Sequence, residues 1–118
     1  MLARANRVVR PDDFRSVVRG GRRSATPLAV YYRFERAAAD PIRFGFIVSR
    51  AVGGAVDRNL LRRRMRAIGR QFVDSGAHGT DVVVRALPGS AQQGWASLSA
   101  DMHDALDRHL LDPEPMPR

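Results

Sequence analysis

Residues 52–70 read VGGAVDRNLLRRRMRAIGR and hold six arginines against one acid, Asp57. A guanidinium stays charged, presents five donors in a planar fork, and can grip a phosphate through two bonds at once. Like charges three and four apart on a helix repel by roughly 0.2–0.5 kcal/mol per pair. A helix that keeps such a series is expected to meet a polyanion. Rival chemistries are thin. His78, His103 and His109 lack a metal-binding spacing such as HExxH. His103 and Asp107 stand four apart beside Asp101 and Asp104, which reads as a solvated helix face rather than a metal site. Ser24 and Ser49 have no evident base partner. The acids are too scattered to hold the paired metals of a nuclease. No catalytic residue and no metal ligand is therefore assigned to the protein itself.

A wheel of about 100° per residue sorts the arginine helix. Leu61, Met65, Ile68 and Phe72 fall on one side and should pack on a sheet. Asn59, Arg62, Arg63, Arg66 and Arg70 fall opposite, with Arg58 and Arg64 on the flanks. Solvated helices usually intersperse both signs, yet no acid occurs between Asp57 and Asp74. Gly53 and Gly54 permit a tight turn into the helix, whose first N–H groups can receive a phosphate. This is not a P-loop, because the lysine and the following Ser or Thr are missing. Exposed aromatics can stack on unpaired bases for about 1–3 kcal/mol each. Phe14, Tyr31, Tyr32, Phe34, Phe44 and Phe46 are the candidates, most of them needed for a core. Tyrosine is expected to be the exposed type, since its hydroxyl tolerates water. Tyrosines and arginines on a sheet face beside the basic helix would form a groove for an extended single strand.

The elements that must position these residues follow from pattern. Pro11, Asp12 and Asp13 mark a helix start and Gly20-Gly21 its stop, with Phe14, Val17 and Val18 as the apolar face. PLAVYYRF (27–34), IRFGFIVS (42–49) and TDVVVRAL (80–87) read as strands, with a short edge piece near 22–25. The first two of these three, joined by a short polar loop, predict an antiparallel hairpin. The basic helix runs over 54–74, and a last helix over 94–110 carries Trp95, Leu98, Met102, Ala105 and Leu106 as its apolar stripe. The order is α-β-β-β-α-β-α, an α+β single domain over 1–118 with a small mixed sheet, an ordered core at 7–110 and a frayed, proline-rich tail at 112–118.

Composition agrees. The 118 residues suit one domain, and the net charge is +8 with 20 arginines and no lysine. A GC-rich coding bias would also remove lysine, so placement carries more weight than count. Residues 1–70 carry +12 and residues 71–118 carry −4, which means one basic surface. The absence of cysteine excludes thiol catalysis and disulfides. No apolar run suggests a signal peptide or a membrane span. The expectation is a cytoplasmic protein with no membrane partner.

At VSRAVGGAVDRNLLRRRMR the chain resembles the protein component of bacterial ribonuclease P. Val48, Ser49, Arg50, Val52, Gly53, Ala55, Val56, Arg58, Asn59, Arg62, Arg63 and Arg66 match the family pattern in order, counting Arg for Lys. Leu60 stands where the third member of an Arg-Asn-Arg signature is expected. Arg7, Asp13, Phe14, Val17 and the Gly20-Gly21 pair match an N-terminal segment, and VVVRALPG resembles a strand ending in Ala-Arg-Pro. The resemblance covers about residues 7–110. It implies the fold of ribosomal protein S5 domain 2, with a left-handed β-α-β crossover through the basic helix. It also implies an accessory subunit of a ribonucleoprotein hydrolase, an endonuclease of tRNA processing in which an RNA subunit using Mg²⁺ is the catalyst. The protein would bind that RNA and the 5′ leader of precursor tRNA. By position, Arg50, Arg58, Asn59, Arg62, Arg63, Arg66 and Arg70 would form the RNA-binding surface. Phe14, Val18 and Tyr32 would line the leader cleft. The rival class is a structural RNA-binding protein, of ribosomal type, with no role in cleavage.

Overall fold

The computed structural model describes the backbone of residues 2–110 and the side chains of 2–107; the expected frayed tail lies outside the described residues. Helix α1 (Pro11–Gly20) begins with proline at its first turn and two acids at its positive end. The strands are β1 (Arg22–Ala25), β2 (Ala29–Glu35), β3 (Arg43–Ile47) and β4 (Thr80–Ala86). A 3-10 turn at Arg50–Val52 leads through Gly53 and Gly54 into α2 (Ala55–Asp74), and α3 spans Trp95–Leu110.

The sheet order is β1-β2-β4-β3. Strand β4 is antiparallel to β2 and parallel to β3. The expected hairpin between β2 and β3 is therefore not formed. The reason lies in β4: Val82, Val83 and Val84 are apolar towards both faces and fully buried, so this strand takes the central place. Its parallel pairing with β3 needs a long crossover, which α2 supplies.

The hand of that crossover follows from L-chirality. Viewed from the α2 side with β4 running upward, residues facing the viewer direct their N–H and C=O groups to the right. Val82 and Val84 face α2. Leu87, of the opposite parity, donates its N–H to the Leu28 carbonyl beside β2 at 2.9 Å. Thus β2 lies to the left and β3 to the right, and the chain travels leftward through α2. This is the left-handed crossover implied by the resemblance, against the right-handed hand of about 98% of such units.

Both sheet faces are covered, unequally. The larger core joins Tyr31, Phe44, Val82 and Val84 to Leu61, Met65, Ile68 and Phe72 of α2 and to Leu98, Met102 and Leu106 of α3. The predicted dry stripe of α2 is buried throughout; that of α3 holds except at Trp95, which is 41% exposed. The smaller core lies under α1 and joins Val17 to Val30, Tyr32 and Val83.

Candidate nucleic-acid interface

Three adjoining depressions of about 150, 250 and 540 Å³ run around the β3 edge of the sheet, and Phe14 lines all of them. Their shape follows from local structure. On α1, Val17 points into the sheet, so Phe14 sits half-buried at the rim while Val18, 38% exposed, opens outward with Arg15 and Arg19. Beneath Phe14 lies Gly45, where an added Cβ would stand 2.5 Å from the ring. The cleft floor thus needs a glycine. Because β3 is an edge strand, both of its faces are reachable. Ile47 opens towards α1, and Phe46 opens towards Arg62 and Arg66 of α2. Val8 donates to the Phe44 carbonyl at 2.9 Å and closes the first half of that edge.

The arginines of α2 are sorted as the wheel predicts, but they are not equally free. Arg62 donates to the Val48 carbonyl and to Asn59 Oδ1, both at 3.2 Å, and this aims it along the cleft. Arg58 Nε donates to the Gly53 carbonyl at 3.1 Å and closes the turn before the helix. Arg70 pairs with Asp74 at 2.8 Å. Arg64 leaves the basic face altogether and donates to the Gln93 carbonyl at 2.9 Å, tying α2 to the segment before α3. Among the described residues, no side-chain hydrogen bond or ion pair engages Arg63 or Arg66. Arg63 is exposed, and so is Arg50, which lies in the 3-10 turn before the helix. Of the expected RNA-binding set, Arg50, Arg63 and Arg66 are the arginines that no side-chain hydrogen bond or ion pair engages among the described residues.

Tyr32 does not line this cleft as expected: it is only 6% exposed, packed under α1 with Val17 and Val83. Tyrosine was also expected to be the exposed aromatic, and the reverse holds. Tyr31 is buried with its hydroxyl donating to Asp101 at 2.6 Å, while Phe14, Phe34 and Phe46 keep exposed edges. A buried tyrosine with a satisfied hydroxyl is no anomaly. Phe46, one of the stacking candidates, does line the cleft, whereas sequence reasoning missed Arg7, Arg15 and Ile47. A wheel of α1 would have found Arg15. The others depend on which strand lies at the sheet edge. Exposed Arg85 sits on the same face, opposite Ile47 in register.

The polar pair on α3 is committed within the fold. His103 contacts Asp107 at 3.0 Å and Gln71 at 2.8 Å, and its ring stacks on Phe72 with centroids 4.4 Å apart. Among the described residues, no three His, Cys, Asp or Glu side chains converge as metal ligands. Among the described residues, no helix is long and apolar enough to cross a membrane.

Fold and cleft together define a class: a small α+β domain whose crossover helix carries a sorted arginine face beside an aromatic-floored groove. Residues 2–110 match the family Ribonuclease P. The ribonuclease P protein component of Clavibacter michiganensis is 44% identical over 108 residues, covering 92% of this chain and 96% of that protein. That of Rhodococcus opacus is 43% identical over 120 residues, covering 96% of each. Among solved structures, the RNase P protein of Staphylococcus aureus superposes with a TM-score of 0.80 at 24% identity, covering 90% of this chain and 96% of that one. The Thermotoga maritima RNase P protein gives 0.76 at 24% identity, covering 86% and 96%. The chain belongs to the ribonuclease P protein family. It is a subunit of ribonuclease P, accessory to that endoribonuclease, and the enzyme's RNA is the partner this membership implies.

Proposed function

We propose that this subunit binds the RNA subunit of ribonuclease P through the arginine face of α2 and receives the 5′ leader of precursor tRNA in the cleft at Phe14. The reaction it assists is Mg²⁺-dependent hydrolysis of one phosphodiester, which releases the leader and leaves the mature tRNA 5′ end. Catalysis belongs to the RNA, and Mg²⁺ is held there. The protein chain itself offers no converging metal donors among its described residues.

The observation that carries this reading is the junction at Phe14, where an apolar floor of Gly45 and Ile47 meets Arg15 on one wall and Arg62 on the other. A single strand needs a stacking surface for its bases and cations along its backbone, and this groove supplies both. Arg63 and Arg66, turned from the core and without protein partners among the described residues, suit the phosphates of a large folded RNA. The cytoplasm, where tRNA precursors are processed, is the proposed location.

The test is the affinity of the reconstituted ribonucleoprotein for precursor tRNA with a leader and for the same tRNA without one. The protein should raise affinity for the leader-bearing form only. Equal gains on both would remove the leader from the account.

A further inference from the structure

The wall of the cleft is held by an ion-pair relay that neither family membership nor the site itself assigns. Arg43 of β3 lies opposite Asp81 of β4 in register, on the α1 face. Its Nε and Nη2 donate to the two Asp81 carboxylate oxygens at 2.8 and 2.7 Å. Asp81 is buried and also receives Arg36 at 3.4 Å. This bidentate partner holds the Arg43 pKa above its ordinary value, and the guanidinium plane cannot turn without breaking two charge-assisted bonds. One nitrogen remains. Arg43 Nη1 reaches Asp13 of α1 at 3.6 Å, which among the described residues is the one ion pair that joins α1 to the sheet.

Asp13 is followed at once by Phe14, and Arg43 is followed two residues later, on the same face, by Gly45. Two contacts thus run side by side along β3: Asp13 on Arg43, and Phe14 on Gly45. A half-buried ring on a residue with no side chain could slide. The Asp13–Arg43 ion pair, at 3.6 Å, is a second contact between this turn of α1 and β3.

We infer that Asp13, held by the Asp81-locked Arg43, is a positioning residue for the leader: it fixes the first turn of α1 so that Phe14 presents its face to the cleft. The inference rests on the leader reading above. It goes beyond that reading by naming residues that would not touch RNA.

The test uses the reconstituted ribonucleoprotein and compares affinity for precursor tRNA with and without its leader in Asp13→Asn, Asp13→Glu and Phe14→Ala. Asp13→Asn should cut the leader-dependent gain by about three- to tenfold. Affinity for leaderless tRNA should stay unchanged, and Asp13→Glu should restore most of the gain. A merely structural role would lower both affinities together, and that outcome overturns the inference. If Phe14→Ala removes the gain while Asp13→Asn keeps it, the positioning role is wrong and the leader cleft stands. If neither variant alters the gain, the leader cleft itself is wrong and the inference falls with it.

Discussion

Phe14 and Gly45 set the cleft at the scale of single residues. Gly45→Ala would drive a methyl into the far edge of the Phe14 ring, 2.5 Å away. The half-exposed ring can swing outward, but the buried Val8 Cβ, 3.1 Å from the added methyl, must also give, so overpacking should cost about 1–3 kcal/mol in chemical denaturation. Its leader-dependent affinity should nevertheless fall. A full loss of folding would mean that the ring is clamped. The arginines give a second prediction at this scale. Arg63→Ala and Arg66→Ala should each flatten the salt dependence of RNA binding by about one ion in a plot of log affinity against log salt. Their melting temperatures should barely change, because neither side chain has a protein partner among the described residues. An unchanged slope in both would mean that the face is only solvated. Much of this scale was legible: the wheel of α2 separated Leu61, Met65, Ile68 and Phe72 from the arginines, and all four are buried. Tyr32 was not legible, because alternation puts it on a named face without saying that α1 covers that face.

Among the elements, α3 depends on a polar lock. Tyr31 and Thr26 both donate to Asp101 Oδ2, at 2.6 and 2.9 Å, and tie α3 to the start of β2. Burial, then the Asp101 bond and charge, push the Tyr31 pKa well above its ordinary value. The unfolded chain therefore releases this proton from about pH 10, while the folded chain keeps it. Stability from this group is whole below about pH 10 and declines as pH rises further. Tyr31→Phe should lose roughly 1 kcal/mol at neutral pH. Its melting temperature should also fall less steeply than that of the natural protein above pH 10. Parallel alkaline slopes would show that Tyr31 does not control that limb. Element types and most boundaries could be read from periodicity and from Pro and Gly punctuation. Pairing could not. The short loop between β2 and β3 argued for a hairpin, yet three valines buried on both faces made β4 central. Trp95 likewise fits the α3 stripe by spacing but stands in the first turn, beyond the edge of the core.

For the whole molecule, Arg7, Arg15, Arg19, Arg62 and Arg66 gather where α2, the N-terminal segment and α1 meet the β3 edge, whereas Arg22 and Arg23 lie on β1 at the opposite edge of the sheet, and Asp101 of α3 faces Thr26 and Tyr31. Such a cluster steers one face towards a polyanion. An accessory role follows from family membership and fits a chain whose carboxylates serve ion pairs and hydrogen bonds in the fold: Asp81 on Arg43, Asp101 on Tyr31, Asp107 on His103. The most direct measurement is cleavage of precursor tRNA at low Mg²⁺ by the ribonuclease P RNA, with and without this protein. The protein should markedly stimulate 5′ cleavage by the RNA and cleave nothing when the RNA is left out. No stimulation, or 5′ cleavage by the protein alone, would contradict the account.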